Sequence, residues 1–128
     1  MSNAETKPIY DLEERTARFG ENVIRFCKML PHTVITEPLM RQVVKSGTSA
    51  GGNYCEADDS ISRKEFRQKI CTCKKESRET KHWLRMIAAA EPNLAERARE
   101  LWKEANELHL IFASIYRKVS KKIPGDGQ

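Results

Sequence analysis

Apolar residues recur along the chain at alternating spacings of three and four positions, in four successive segments. This spacing places apolar side chains on one face of an α-helix, and no segment has the two-residue alternation of a β-strand. Pro31 and Pro92 interrupt the pattern, whereas Pro38 fits the first turn of a helix. The predicted helices span residues 11–30, 38–59, 63–90 and 94–122. Four helices with short connections predict an all-α, antiparallel up-down-up-down four-helix bundle.

The apolar seam of the third predicted helix is interrupted by two polar residues. The positions of this seam are Phe66, Ile70, Cys73, Ser77, Thr80, Leu84 and Ile87. Polar groups in a protein interior normally have hydrogen-bond partners. Ser77 and Thr80 therefore predict a hydrogen-bonded layer in the middle of the bundle.

The second predicted helix contains the stretch KSGTSAGG, which has two interpretations. Three glycines beside a lysine and serines suggest a phosphate-binding loop, but a P-loop follows a strand and has its lysine after the glycines. Here Lys45 precedes the glycines, and the apolar register continues from Val43 through Gly47 and Ala50 as far as Ile61. The pattern therefore favours a helix. The spacing of Gly47 and Gly51 further predicts that another helix packs closely against it.

A polar stripe runs beside the apolar seam of the second helix. Its members are Gln42, Ser46, Ser49, Asn53, Glu56 and Ser60. Only one of the six is charged, although a solvated flank of so charged a chain should hold more Lys, Arg and Glu. Three interpretations stay open: a hydrogen-bond network with a neighbouring helix, a subunit interface, or ordinary polar surface.

The third helix carries a basic stripe, formed by Arg67, Lys74, Arg78, Lys81 and Arg85. From Arg63 to Arg85, nine basic residues outnumber three acidic ones, which gives a local net charge of +6. Two interpretations are equally open. The stripe binds phosphates, or it pairs with the carboxylates near the end of the second helix, which are Glu56, Asp58 and Asp59.

A second basic cluster lies near the C-terminus and consists of Arg117, Lys118, Lys121 and Lys122. Cations in the last turn of a helix interact favourably with the helix dipole and can bind the last carbonyl groups. The cluster thus has a structural explanation of its own. We still count it, with the basic stripe, among the candidate contacts to nucleic acid.

The composition predicts one globular domain. Of 128 residues, 32% are charged and 39% are hydrophobic, which is typical of a folded chain. The domain should span residues 11–122, between a flexible N-terminal segment (1–10) and a disordered tail (123–128). The net charge of +5 permits binding to a polyanion without requiring it. No segment has the length and apolar character of a membrane span or signal peptide, so we expect a cytoplasmic protein and no membrane partner.

The sequence predicts neither a metal site nor a catalytic site. The spacing of the four cysteines matches no zinc pattern, and we interpret them as reduced, buried small residues. They are Cys27, Cys55, Cys71 and Cys73. No histidine or cysteine is placed to form a base–nucleophile pair, and the Glu-x-x-His pattern of di-iron bundles is missing. We expect no enzyme and no cofactor.

Three short motifs resemble one known family. They read S-x-x-x-N-x-x-E-A (Ser49 to Ala57), S-x-x-E-F (Ser62 to Phe66) and K-E-x-x-E-T-x-x-W-L (Lys75 to Leu84). They resemble the small bacterial four-helix-bundle proteins encoded in intervening sequences of 23S ribosomal RNA genes. The resemblance implies a left-handed antiparallel bundle that assembles as a ring, commonly a homopentamer, and it brings no established activity. The accessory protein of diversity-generating retroelements is similar, and it is a basic pentameric ring that binds nucleic acid and a reverse transcriptase.

Two hypotheses for the function follow. In the first, a non-enzymatic oligomeric bundle binds RNA or DNA through its basic helix flanks. In the second, the chain is a ring-forming scaffold for protein interactions, without nucleic-acid binding, and subunit contacts use both the polar and the basic stripe. A partner protein fits either hypothesis.

Overall fold

The structure is a computed structural model that describes residues 11–121. The four helices in this range are α1 (Leu12–Lys28), α2 (Thr36–Asp58), α3 (Arg63–Ala90) and α4 (Ala95–Lys121). Helix α3 packs against both α2 and α4, while α1 packs mainly against α2 and less against α4. This arrangement confirms the predicted all-α four-helix bundle. The predictions for residues 1–10, Lys122 and 123–128 lie outside the described residues.

Local sequence signals determine where the helices begin. Helix α2 begins two residues before its predicted start because Thr33 and Thr36 cap each other. The Thr33 hydroxyl accepts from the amide of Thr36 (3.0 Å), and the Thr36 hydroxyl accepts from the amide of Thr33 (2.9 Å). At the start of α3, the Ser62 hydroxyl accepts from the amide of Glu65 (3.0 Å). Before α4, a single 3₁₀ turn (Pro92–Leu94) occupies the predicted start, so α4 begins at Ala95.

The apolar seams of all four helices meet in one core. Its fully buried large side chains include Phe26, Phe112, Ile70, Leu84 and Ile87. One seam residue was placed wrongly by the apolar pattern. Ile61 is 95% exposed, because α2 ends at Asp58 and leaves it in the connection to α3.

Helix α1 crosses α2 where α2 has glycines. A Cβ atom added to Gly47 would lie 3.1 and 3.2 Å from the two methyl carbons of Val23, and one added to Gly51 would lie 3.2 Å from the hydroxyl of Thr16. These separations are shorter than the 3.5–4.0 Å at which carbon atoms normally pack. By contrast, a Cβ at Gly52 would meet nothing within 4 Å. The first two glycines therefore permit the close approach of α1, and Gly52 does not contribute to it.

A hydrogen-bonded layer lies in the middle of the core, as the polar seam positions of α3 predict. The hydroxyl groups of Thr80 and Ser46 are 2.8 Å apart, and both side chains are fully buried. Thr80 also contacts the carbonyl of Glu76 (2.7 Å), and Ser77 donates to the carbonyl of Cys73 (2.9 Å). The layer joins α2 to α3 by a side-chain bond and leaves the hydroxyl groups satisfied.

The interpretation of the cysteines as buried residues holds for only two of them. Burial raises the pKa of Cys27 to about 11 and that of Cys73 to about 12, which keeps both thiols protonated and unreactive at neutral pH. Cys55 is exposed and Cys71 is half-buried. Over residues 11–121, no group of three His, Cys, Asp or Glu side chains is arranged to hold a metal ion. No helix of this range has the combination of length and apolarity that crossing a membrane requires.

Candidate nucleic-acid interface

The basic stripe of α3 lies along the groove between α3 and α4. Lys74 Nζ lies 4.8 Å from the centre of the Tyr116 ring, and the guanidinium carbon of Arg67 lies 5.6 Å from the same ring. Lys81 Nζ lies 5.2 Å from the centre of the Trp102 ring. These distances are typical of cation–π contacts. The other two members of the stripe, Arg78 and Arg85, are exposed to solvent.

Lys81 occupies the centre of this groove. Its ammonium group donates to Asn106 Oδ1 (2.9 Å) and lies 3.5 Å from His109 Nδ1. Burial lowers the pKa of Lys81, and the neighbouring Arg78 lowers it further. Burial also lowers the pKa of His109, and the surrounding cations of the basic stripe add to the effect. Burial is thus the larger cause of both lowered pKa values, and repulsion between the positive charges adds to it.

Three carboxylates of α2 and α4 pair with cations outside the basic stripe. On α4, Glu104 and Glu107 both bind Arg15 of α1, with Glu104 Oε2 2.7 Å from Arg15 Nε. On α2, Glu56 pairs with Lys69, which is not a member of the basic stripe. Within residues 11–121, no carboxylate forms an ion pair with Lys74, Arg78, Lys81 or Arg85.

This arrangement corrects one of the two interpretations of the basic stripe. Pairing with Glu56, Asp58 and Asp59 required the stripe to lie beside α2. It lies beside α4 instead, as its contacts with Trp102 and Tyr116 show. The acidic end of α2 is therefore not available to the stripe, and the phosphate interpretation stays open.

Four residues of α4 that the apolar pattern did not predict face the basic stripe. They are Trp102, Asn106, His109 and Tyr116, spaced 4, 3 and 7 positions apart. These residues have the same spacing of three and four positions as the apolar seam of α4, and they lie on the flank of the helix next to that seam. The same search for a second periodic stripe that finds the polar residues of α2 would have found these residues on α4.

The groove widens at the end where α3 stops and α4 starts. Its volume there is about 380 Å³, and its lining residues are Leu84, Arg85, Ala88, Ala95, Ala98, Arg99, Trp102 and Lys103. Three cations and an indole ring thus surround a floor of leucine and alanine. Near the end of α4, Arg117, Lys118 and Lys121 of the C-terminal cluster are exposed. Lys118 lines a different groove, together with Leu12 of α1 and Tyr54 of α2.

The polar stripe of α2 does not form one network. Ser46 is the buried partner of Thr80, and Glu56 pairs with Lys69 of α3. Ser49 and Asn53 form hydrogen bonds with carbonyl groups one turn earlier in α2, and Ser60, just beyond the end of α2, donates to the carbonyl of Glu56. Gln42 is exposed. Only two of the six residues therefore bridge to a neighbouring helix.

Comparison with known proteins identifies the family. The family model of the 23S rRNA-intervening sequence protein matches residues 10–122. The fold is similar to the crystal structure of a protein of unknown function from the S23 ribosomal protein family of Bacteroides thetaiotaomicron VPI-5482. The TM-score is 0.70 at 25% identity, over 81% of this chain and 96% of that chain. No curated protein matches the chain. Because the family model spans most of the sequence, the chain belongs to the 23S rRNA-intervening sequence protein family.

Proposed function

We propose that the chain is a non-enzymatic protein that binds RNA or DNA through the α3–α4 groove. We call this surface the basic face, and its cations are Lys74, Arg78, Lys81 and Arg85. The observation that carries the proposal is that these four cations form no ion pair within the described part of the chain, while Glu104 and Glu107 pair with Arg15 and Glu56 pairs with Lys69. The proposed location is the cytoplasm, where reduced thiols are expected.

The chemistry of the basic face suits a phosphate backbone. Lysine and arginine that contact phosphates release condensed counterions, and this release provides most of the affinity in sequence-independent binding. A bound polyanion would also relieve the repulsion between cations, which adds to the effect of burial in lowering the pKa values of Lys81 and His109. Tyr116 and Trp102 add aromatic surface between the cations, as in proteins that bind nucleic acid by charge and stacking together.

The proposal predicts binding that weakens steeply with salt. For about four phosphate contacts, the affinity for structured RNA should fall roughly 10²-fold between 50 and 200 mM salt. Fluorescence anisotropy with a labelled RNA measures this slope. Reversing three charges of the basic face, the half-buried Lys74→Glu and the exposed Arg78→Glu and Arg85→Glu, should abolish binding.

The matched control reverses three basic residues on another surface, so that the net charge of the chain changes by the same amount. Arg18, Lys28 and Arg41 are exposed residues of α1 and α2, and their reversal to Glu should weaken binding much less. Equal losses of RNA affinity in the two triple variants would show that only the net charge of the chain matters. The basic face would then not be the binding site. Lack of binding at 50 mM salt would end the proposal.

A second candidate function is a ring-forming scaffold, for which the α1–α2 surface provides a specific observation. A shallow groove of about 360 Å³ runs there beside Gly20, Gly51 and Gly52, and Ile24 on its edge is 44% exposed. The half-buried Ser49 and Asn53 of α2 form only hydrogen bonds within their own helix. We propose that α2 contributes to subunit contacts in a homo-oligomer, for which we expect a pentamer.

Sedimentation velocity tests this assembly. The expected species has five times the 14.7 kDa mass of the chain, and Ser49→Trp should convert it to monomers or aggregates because the bulky ring prevents close contact. Lys28→Trp, at the exposed end of α1, should assemble normally. Normal assembly of both variants would show that the polar stripe is not an interface.

A further inference from the structure

We infer that the wide end of the α3–α4 groove binds an unpaired base of a single-stranded nucleic acid, with Trp102 as the stacking surface. This inference rests on the proposed function and specifies the kind of nucleic acid that the basic face takes. The wide end differs from the rest of the basic face because it combines a concave shape with an apolar floor and a partly exposed indole ring.

The geometry of this pocket provides the first argument. Its volume of about 380 Å³ lies within the range of sites that bind small organic molecules. Leu84 and Ala98, both buried, form part of the floor, and Trp102 forms one side with 36% of its surface exposed. An apolar floor beside an aromatic ring suits a flat, weakly polar group such as a nucleobase, and offers little to a hydrated ion.

The charges at the rim provide the second argument. Arg85 of α3 and both Arg99 and Lys103 of α4 line the same pocket, and no carboxylate lines it. Within residues 11–121, none of these three cations forms an ion pair. A base that enters the pocket brings its own phosphate and the neighbouring one to the rim, so an apolar floor and a cationic rim match the two parts of one nucleotide.

Helix α4 separates this pocket from the acidic part of the bundle. Glu104 and Glu107 bind Arg15 on the α1 side of α4, whereas Trp102 and Asn106 lie on the α3 side, in contact with Lys81. Lys81 is held by Asn106 and lies 5.2 Å from the centre of the Trp102 ring. The ring is therefore kept in place beside fixed positive charge, which limits the entropy lost when a base stacks on it.

A paired duplex cannot use this site, because its bases are stacked inside the helix. The inference therefore predicts a preference for single strands, and it predicts a direct contact between a base and Trp102. Base–aromatic stacking changes affinity by roughly 5- to 150-fold on alanine substitution. The Trp102→Ala variant should lose affinity in this range for single-stranded RNA, with an unchanged salt slope, since no phosphate contact is removed.

The decisive experiment measures tryptophan emission during titration with three probes of equal length: a single-stranded RNA, the same strand made abasic, and the matching duplex. The single strand should quench the emission of the wild-type chain, and the abasic strand should bind without quenching. Trp102→Phe should bind the single strand nearly as well as the wild type, because a ring remains, but without the quenching. Thermal melting of both variants checks that they fold.

The outcomes separate this inference from the proposed function. If all three probes bind equally and Trp102 is not quenched, the inference is wrong and the basic face is a general phosphate-binding surface. If emission depends on protein concentration and not on the oligonucleotide, a second copy of the chain covers the pocket, and the inference is also wrong. If no probe binds at low salt, both the inference and the proposed function are wrong.

Discussion

The Phe112→Ala variant is expected to lose about 3–5 kcal/mol of its free energy of unfolding. The ring of Phe112 is fully buried on α4, and its centre lies 6.1 Å from the ring centre of Tyr54 on α2. Truncation removes the transfer free energy of the ring and leaves a cavity that the surrounding helices can fill only in part. Urea denaturation followed by circular dichroism measures the change. A loss of this size is a large fraction of the stability of an ordinary domain.

The control for this prediction lies two residues away on the same helix. Leu110 is 56% exposed, so Leu110→Ala should change the free energy of unfolding by no more than about 0.5 kcal/mol. Both substitutions introduce alanine into the middle of α4, so the helix propensity changes in the same direction. Equal effects of the two variants would contradict the position of Phe112 at the centre of the core.

The Gly47→Val variant is expected to lose about 1–3 kcal/mol, because its side chain would force α1 and α2 apart. Its Cβ alone would already lie 3.1 Å from a methyl group of Val23, and the added methyl groups would extend further into α1. The flexibility of a surface side chain cannot relieve this contact, since Val23 is itself fully buried. Chemical denaturation measures the loss of stability.

Gly52→Val is the matched control for this second prediction. Gly52 lies in the same helix, but a Cβ atom there would meet nothing within 4 Å. The same substitution should therefore change the stability by no more than about 0.5 kcal/mol, and in the favourable direction, because valine has a better helix propensity than glycine. If Gly52→Val is as destabilising as Gly47→Val, helix propensity or another local effect dominates, and the close contact between α1 and α2 is not the cause.

The apolar pattern was sufficient to predict the helices, and the structure places their ends within two residues of the predicted positions. The reason is that each helix buries one continuous seam, which the alternation of three and four positions marks directly. The error at the start of α2 came from a capping pair, Thr33 and Thr36, whose signal lies outside the apolar pattern. The exposed Ile61 illustrates the opposite error, in which the apolar spacing continues by chance beyond the end of a helix.

The candidate site was harder to predict because a seam does not show which neighbour lies on each side of a helix. The net charge of α3 could be counted from the sequence. Whether Lys74 and Lys81 lie beside α2 or α4 depends on the order of the helices around the bundle. The sequence of one helix does not show which of its two flanks faces which neighbour. The contacts of these lysines with Tyr116 and Trp102 resolve this choice. The informative signal is that the basic stripe of α3 matches a stripe of aromatic and polar residues on α4. This match is visible only when the flanks of the two helices are compared with each other.

The length of the basic face along α3 limits how much of a ligand one chain can reach. Lys74 and Arg85 mark the ends of the set of cations on the basic face and are eleven residues apart in one helix, so they span about 16 Å at a rise of 1.5 Å per residue. Phosphates along one strand of a B-form duplex are about 3.4 Å apart in the axial direction. One subunit therefore spans about five nucleotides of a strand with this spacing, and fewer nucleotides of a more extended single strand. A longer tract would have to pass from one subunit to the next, so the number and the arrangement of chains in an assembly would determine the length of RNA or DNA that it holds.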